Sequence, residues 1–241
     1  MISIQTFKEQ INDDLSGSNR WIYRGQSNTK WGLETSYLRF CTSNNIDFSL
    51  NNFFRLLNSF IDKASEFLEK DLTQLKICEK IALAQHYGIP TPFLDWTESP
   101  YVALFFALYH RYKNPSSEPF RIWALNLENI CNQNFDVSEK ELENDKNQIS
   151  LISGRLLQSK RLNRQLGLFT FISVPNSLNN FASPQSDKIK LKFYDINANN
   201  WIGIIRELLL MGIGAGTLFD SLDGVANDIV IKTLWKKNNQ F

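Results

Sequence analysis

The sequence has few of the residues that build disulfide frameworks and metal centres. Its 241 residues include three cysteines, two histidines and two methionines. Cys41, Cys78 and Cys131 are odd in number, far apart and not at metal-ligand spacing, which predicts free thiols in a reducing compartment. His86 and His110 lack a second ligand at i+4 or a nearby cysteine, so we expect no metal site.

The sequence also lacks an excess of either charge, a long apolar run and a linker-like segment. The formal net charge of +1 gives no bulk electrostatic argument for binding nucleic acid. No run approaches the roughly 18 apolar residues of a transmembrane helix, and the start of the chain has no basic region followed by an apolar one. We therefore expect a cytoplasmic protein that forms a single domain over residues 1–241.

Apolar and aromatic residues are abundant, and they are densest in the stretch QHYGIPTPFLDWTESPYVALFFA, residues 85–107. With 43% hydrophobic residues and 18 phenylalanines, the chain can bury a substantial core. Within this stretch Gly88 ends a helix and two prolines prevent its continuation. Thr91–Thr97 is then predicted to be extended, and Ser99 is predicted to cap a second, apolar helix.

Hydrophobic periodicity predicts a helical first half and a second half richer in strands. The predicted helices cover residues 3–15, 51–75, 79–87 and 201–211, and the predicted strands cover residues 21–26, 121–127, 166–174 and 188–194. Residues 129–147 are acidic, rich in asparagine and weakly periodic, so we expect a surface excursion there. Residues 218–231 are expected to hold two polar dipeptides and a short apolar segment.

Several polar residues are embedded in aromatic sequence, where each costs free energy unless it is paired. Arg24 lies near the end of the first strand on the face of Ile22, so it is either a structural arginine or an anchor for a phosphate or carboxylate. Together with His86, Asp95 and Thr97 it indicates an internal hydrogen-bond network or a ligand cleft.

A serine hydrolase triad of Ser99, His86 and Asp95 is formally available as well. No nucleophile elbow surrounds Ser99, and a helix N-cap is the better use of that serine.

Four motifs in order resemble the FRG domain family, which is named for a Phe/Tyr-Arg-Gly motif near its start. They are YRGQ (Tyr23–Gln26), the stretch Gln85–Ala107, RLNRQLGLF (Arg161–Phe169) and GTLFDSLDG (Gly216–Gly224). The sequence departs from the family pattern at Pro92, where arginine is usual, and at Asp220, where proline is usual.

The motifs are also similar, more weakly, to those of the mono-ADP-ribosyltransferases. In that superfamily a first-strand Arg-Gly holds NAD, as Arg24-Gly25 would here. The helix after the second strand matches at Pro100, Ala103, Phe106 and Ala107. Asp95-Trp96-Thr97 takes the place of the superfamily's Ser-Thr-Ser, and Gln165-Leu166-Gly167 takes the place of its Gln/Glu-x-Glu. No carboxylate therefore stands at the catalytic glutamate position, and Glu207 is the reserve candidate.

These resemblances imply an α+β fold that is ADP-ribosyltransferase-like, with a split, mostly antiparallel sheet and a helical N-terminal half. They imply NAD as a substrate and a protein or RNA acceptor, in a bacterial toxin or an anti-phage defence effector with an antitoxin protein as a further partner. Basic residues such as Lys160, Arg161 and Arg164 would steer an RNA acceptor.

The implied site residues fall into a catalytic and a cofactor-binding set. The catalytic residues are Arg24, Asp95 and Gln165, and the NAD-binding residues are Arg24, Gly25, Gln26, His86, Tyr87, Trp96 and Thr97. Two alternatives stay open, namely a non-catalytic module that binds a nucleotide or nucleic acid, and a purely structural interaction domain.

Overall fold

The computed structural model of the chain describes residues 1–17, 20–128, 130–132, 138–143, 149–153, 164–181 and 189–238. Helices dominate the first half. In chain order this half contains α1 (Ile4–Ser16), β1 (Trp21–Gln26), α2 (Ser36–Ser43), α3 (Leu50–Leu68), α4 (Ile77–His86), β2 (Phe93–Thr97) and α5 (Pro100–Leu108), followed by a 3-10 turn (Tyr109–Tyr112).

Most of the strands belong to the second half. Its elements are β3 (Phe120–Asn126), β4 (Cys131–Asn132), α6 (Glu139–Glu143), β5 (Ile149–Ser153), β6 (Gly167–Ile172), α7 (Leu178–Phe181), β7 (Leu191–Ile196), α8 (Trp201–Leu210), α9 (Ala215–Phe219) and α10 (Leu222–Asn238).

Local signals in the sequence fix several of these boundaries. The Ser3 hydroxyl accepts a hydrogen bond from the Thr6 backbone at 3.0 Å, and the Ser99 hydroxyl accepts one from Val102 at 3.3 Å. Each serine thus satisfies a backbone N–H in the first turn of its helix. After α4 the chain turns at Gly88, whose φ of 88° is strained for residues with a side chain.

The strands form one sheet in the order β4-β5-β6-β2-β1-β3-β7. Neighbouring strands run antiparallel except for β4 and β5, which are parallel. This architecture confirms the predicted α+β class and the mostly antiparallel sheet. The likeness of the fold to the ADP-ribosyltransferases stays a prediction.

Two groups of helices lie side by side on one face of the sheet. Around Tyr23 of β1, helices α1, α5, α8, α9 and α10 build one apolar cluster, while α2, α3 and α4 build a second cluster around Phe93 of β2. A third cluster, containing Ile22 and Trp96, covers the opposite face. The seam between the two helical clusters follows the junction of β1 and β2.

Several boundaries and elements differ from the sequence predictions. Helix α3 ends at Leu68 and not at residue 75, because Glu69 turns left-handed with φ 50° and its N–H bonds back to the helix. Helix α10 continues to Asn238, well beyond the short apolar segment that we expected. Periodicity missed α2 and β5 altogether.

A further correction concerns the surface excursion at residues 129–147. Within its described part, α6 places Leu142 in the apolar cluster of α3 and α4 with no exposed surface. The remainder of the excursion, and Arg161 and Lys160, lie outside the described residues. Among the helices that the structure describes, none is both long enough and apolar enough to cross a bilayer.

Candidate functional site

The candidate site begins where β1 and β2 separate. A single residue pair, Tyr23 opposite Thr97, joins these two strands, both of which the structure describes throughout. Continuing the same register would place Gly25 opposite Asp95, yet that pair does not form. The sheet therefore opens at this point, as the predicted split requires.

A cavity of about 1030 Å³ occupies the opening. Its walls come from β1, β2, the start of β6, α4, α5, the segment between α3 and α4, and the end of α9. The lining residues include Tyr23, Arg24, Gly25, Lys70, Leu75, Glu79, Ala82, Leu83, Gln85, His86, Asp95, Trp96, Thr97, Ala103, Phe106, Gln165, Phe169, Phe219 and Asp220. Arg24, Asp95 and Gln165, the three predicted catalytic residues, are therefore brought to one cavity from β1, from β2 and from the turn before β6.

Arg24 bridges the gap between the two separated strands. Its NH1 nitrogen donates to the carbonyl oxygen of Asp95 at 2.7 Å and lies 3.5 Å from Asp95 Oδ2. Burial lowers the pKa of Arg24, the Asp95 carboxylate opposes that shift, and Arg39 adds to it. Since arginine is the most basic side chain, the guanidinium keeps its charge. Its Nε atom is buried without a hydrogen-bond partner among the described residues.

Asp95 presents its carboxylate to the cavity from the middle of β2. Its side chain is 59% exposed, whereas that of Arg24 is 21% exposed. Oδ1 accepts a hydrogen bond from Gln85 Nε2 at 2.5 Å, and Oδ2 faces Arg24. The carboxylate is thus held from two sides although it is open to solvent.

Gly25 allows α5 to pack closely against β1. A Cβ atom at this position would lie 1.9 Å from the backbone oxygen of Ala103 and 2.8 Å from the nitrogen of Ala107. Because both atoms belong to the backbone of α5, a side chain at position 25 would force the helix away from the sheet. The absence of a side chain here is therefore a packing requirement that sets one wall of the cavity.

Gln165 enters the cavity from the turn before β6 and is fixed by two contacts. Its backbone oxygen accepts from the Thr97 hydroxyl at 2.7 Å, and its Nε2 donates to the Leu218 backbone oxygen at 3.1 Å. The next residue, Leu166, has a left-handed φ of 48°, which is strained for a leucine. Gly167 follows opposite Thr97 and adds no side chain to the site.

Three residues of the predicted NAD-binding set do not offer their side chains to the cavity. Gln26 donates to the Gly32 backbone oxygen and accepts from the indole of Trp123, so its amide serves the fold. Trp96 is 3% exposed and donates its indole N–H to Thr170 on the opposite face of the sheet, which leaves no ring surface for stacking. Tyr87 is 62% exposed and lies outside the lining, against the edge of His86.

The other predicted residues divide by role. His86 lines the cavity at the end of α4. Thr97 lines it too, but its hydroxyl is committed to Gln165 and to the Ser99 backbone N–H, so it organises the turn into α5. Glu207, the reserve carboxylate, pairs with Lys8 at 2.5 Å and is not among the lining residues.

The sequence interpretation missed several residues of the cavity wall. Sequence analysis assigns no role to Gln85, because its hydrogen bond to Asp95 is visible only in the folded structure. Glu79 and Asp220 bring two further carboxylates, and Asp220 pairs with Arg164 at 2.9 Å. Phe219 packs near Phe106 with 5.9 Å between ring centroids. Nothing local to α9 signals this long-range contact.

Comparison with known proteins finds one family match, in the first part of the chain. The family model described as FRG domain matches residues 19–116. The match contains Arg24, Gln85 and Asp95, whereas Gln165, Phe219 and Asp220 lie beyond it. No curated protein and no solved structure matches the chain.

Proposed function

Starting from a chain that carries an FRG domain, we propose that this protein is an NAD-dependent ADP-ribosyltransferase that modifies a macromolecular acceptor. The observation that carries the proposal is the convergence of Arg24 from β1, Asp95 from β2 and Gln165 from the turn before β6 on one cavity. A cavity of about 1030 Å³ has the size of a site for a small organic cofactor.

In this proposal Arg24 binds NAD through its charge. Its guanidinium pairs with the diphosphate or a ribose, because a planar fork of donors suits phosphate oxygens better than a single ammonium group does. Arg24 is already held by Asp95, so little conformational freedom is lost when NAD binds. His86 at the opposite wall contacts the same ligand.

Asp95 supplies the negative charge that the reaction needs. When the bond between nicotinamide and ribose breaks, its electron pair leaves with nicotinamide and positive charge develops on the ribose. The Asp95 carboxylate stabilises that charge, and a nucleophilic atom of the acceptor forms the new bond and releases its proton. Gln165 orients the acceptor, and its amide is held at the cavity by the hydrogen bond from Nε2 to the Leu218 backbone oxygen.

The direct test is incubation of the purified protein with labelled NAD and a whole-cell lysate. The protein and RNA fractions are counted separately, and free nicotinamide is measured. We expect label in one fraction and a loss of roughly 10²- to 10³-fold in rate for Asp95→Asn, as removing one transition-state electrostatic contact typically causes. Asp13→Asn, an exposed change on α1, is the matched control.

A second candidate is a non-catalytic module that binds a nucleotide in the same cavity. Gly167 favours it, because this residue leaves the third strand without a carboxylate at the position where the transferases carry glutamate. Binding of NAD in calorimetry, with neither labelled acceptor nor free nicotinamide, would select this alternative. Label in the RNA fraction would point to Arg164 and its basic neighbours in the sequence as the acceptor surface.

The proposal extends to biological role and partners. An enzyme that consumes NAD and modifies cytoplasmic macromolecules fits a toxin or an anti-phage defence effector, with an antitoxin protein as its inhibitory partner. Expression in growing cells tests the toxin role. The wild-type chain is expected to arrest growth, and Asp95→Asn is expected to relieve the arrest.

A further inference from the structure

We infer that Gln85 and Thr91 are positioning residues that fix the Asp95 carboxylate in the cavity. The inference rests on the proposed function for its effect on rate, and on geometry alone for its effect on Asp95. Gln85 lies at the end of α4 and Asp95 lies in β2, ten positions later. Gly88 and the two prolines that follow it reverse the chain, so the two side chains meet at 2.5 Å.

A backbone donor helps to set the direction of the hydrogen bonds in this network. The Thr91 hydroxyl oxygen accepts from the Phe93 backbone N–H at 3.4 Å and donates its own hydrogen to Gln85 Oε1. With Oε1 engaged, the Gln85 amide can only present its NH₂ group to Asp95. Asp95 Oδ1 therefore receives an N–H donor, which suits the ionised carboxylate.

Burial makes this orientation hard to reverse. Thr91 has no exposed surface, and its backbone is fixed by hydrogen bonds between its N–H and the Ser36 hydroxyl at 2.8 Å and between its carbonyl and the Tyr37 N–H at 3.0 Å. Gln85 is half-buried between this anchor and the cavity. The amide flip that would turn Oε1 toward Asp95 would take the acceptor away from the buried Thr91 hydroxyl hydrogen and set Oε1 against a carboxylate oxygen.

The exposure of Asp95 indicates that the network positions the carboxylate and does not serve to solvate it. At 59% exposure, water can satisfy both carboxylate oxygens without any protein partner. The hydrogen bond from Gln85 instead selects one rotamer, with Oδ1 bound and Oδ2 directed to the side of Arg24. A catalytic carboxylate gains from such pre-organisation because the charge then needs no rearrangement when the ribose cation forms.

The experiment compares Gln85→Leu and Thr91→Val with Gln5→Leu, an exposed control on α1. Gln85→Leu removes the donor to Asp95, and Thr91→Val removes the hydroxyl that orients the amide at nearly constant volume. We expect nicotinamide release to fall by about 100-fold in Gln85→Leu, in line with misplacement of a catalytic group. The dissociation constant for NAD should stay close to that of the wild type, because the change affects the transition state and not the bound ground state.

Thr91→Val should lower the rate in the same direction. The double variant should be no slower than Gln85→Leu, since both residues act through one contact. Thermal unfolding of each variant separates this effect from a loss of fold, and Thr91→Val keeps the test usable if Gln85→Leu is poorly folded.

Carboxyl labelling reads the position of Asp95 without any enzymatic activity. A water-soluble carbodiimide with glycine ethyl ester labels Asp95, and mass spectrometry measures its extent. We expect labelling of Asp95 to rise in Gln85→Leu and Thr91→Val and to stay unchanged in Gln5→Leu. If labelling rises while the wild type releases no nicotinamide, the network stands and the proposed transferase activity fails. If the wild type is active and both labelling and rate are unchanged in Gln85→Leu, the positioning role is wrong.

Discussion

At the scale of single residues, Arg24 joins two separated strands and also has the binding role that we propose. Beyond the Tyr23–Thr97 pair, β1 and β2 are not paired, and the Arg24 guanidinium joins them by its hydrogen bond to the Asp95 backbone oxygen. The same guanidinium also faces the cavity. The sequence alone left these two roles as alternatives. Because the same NH1 group bonds the Asp95 backbone and lies near its carboxylate, we expect substitutions to affect both stability and binding.

Arg24→Ala is expected to lower the free energy of unfolding by about 2 kcal/mol, because the Asp95 carbonyl loses its partner. It should also abolish NAD binding. Arg24→Lys can still donate to that carbonyl and should retain most of the stability, but it lacks the planar fork and should bind NAD weakly. Urea denaturation and calorimetry measure the two effects, with Arg55→Lys on the exposed side of α3 as control. Wild-type affinity in Arg24→Lys would contradict an anchoring role.

Gly25 offers a second test at this scale. Gly25→Ala places a methyl group against the backbone of α5 and should cost about 3 kcal/mol, at the upper end for overpacking. Gly88→Ala meets no atom within 4 Å but must adopt a positive φ, so it should cost only about 1 kcal/mol. Equal losses in denaturant unfolding would mean that α5 can move away from β1 without penalty.

At the scale of elements, the cavity depends on how the C-terminal helices are held. Asp228 of α10 accepts hydrogen bonds from the backbone N–H groups of Ala215 and Gly216 at 2.8 and 2.9 Å, which ties α10 to the first turn of α9. Phe219 at the other end of α9 then closes one wall of the cavity. A contact away from the cavity thus fixes part of the cavity wall.

Asp228→Ala should destabilise the protein by about 1 kcal/mol, the usual cost of losing a helix cap. It should also weaken NAD binding, because Phe219 is released from its place in the wall. Asp223→Ala, an exposed change in the first turn of α10, serves as the control. Thermal unfolding and calorimetry provide the readouts, and unchanged NAD affinity in Asp228→Ala would show that α9 does not shape the site.

At the scale of the whole molecule, burial of acidic side chains in their neutral form predicts loss of stability at high pH. Burial and, to a lesser extent, Glu79 raise the pKa of Cys78 from 9.0 to about 12. Burial and the Cys41 contact raise the pKa of Tyr37 to about 12. Both groups lie in the apolar cluster of α2, α3 and α4, where the neutral forms are favoured.

Proton linkage gives the direction in which stability changes with pH. A raised folded-state pKa contributes stability that is fully present below the unfolded pKa and is lost as the pH rises toward the folded value. We therefore expect the urea midpoint to fall as the pH increases above 9.0, and to fall less steeply in Cys78→Ala. If the urea midpoint fell equally steeply with pH in the wild type and in Cys78→Ala, the Cys78 thiol would not be the source of the pH dependence.

The sequence by itself determined the features that depend on near neighbours. Serine caps located the starts of α1 and α5, and Gly88 with its prolines marked the turn between α4 and β2. These features follow from backbone sterics and local hydrogen bonds, which act over a few residues. The motifs also indicated that Arg24, Asp95 and Gln165 belong to one site.

Only the tertiary structure decided which side chains face that site. Strand alternation shows that Asp95 and Trp96 point to opposite faces, but it does not say which face holds the cavity, and the separation of β1 from β2 settles the matter in favour of Asp95. The contact of Gln85 with Asp95 and the closure by Phe219 arise in the same way. Such contacts depend on how whole elements pack, and no periodicity or cap within a short segment carries that information.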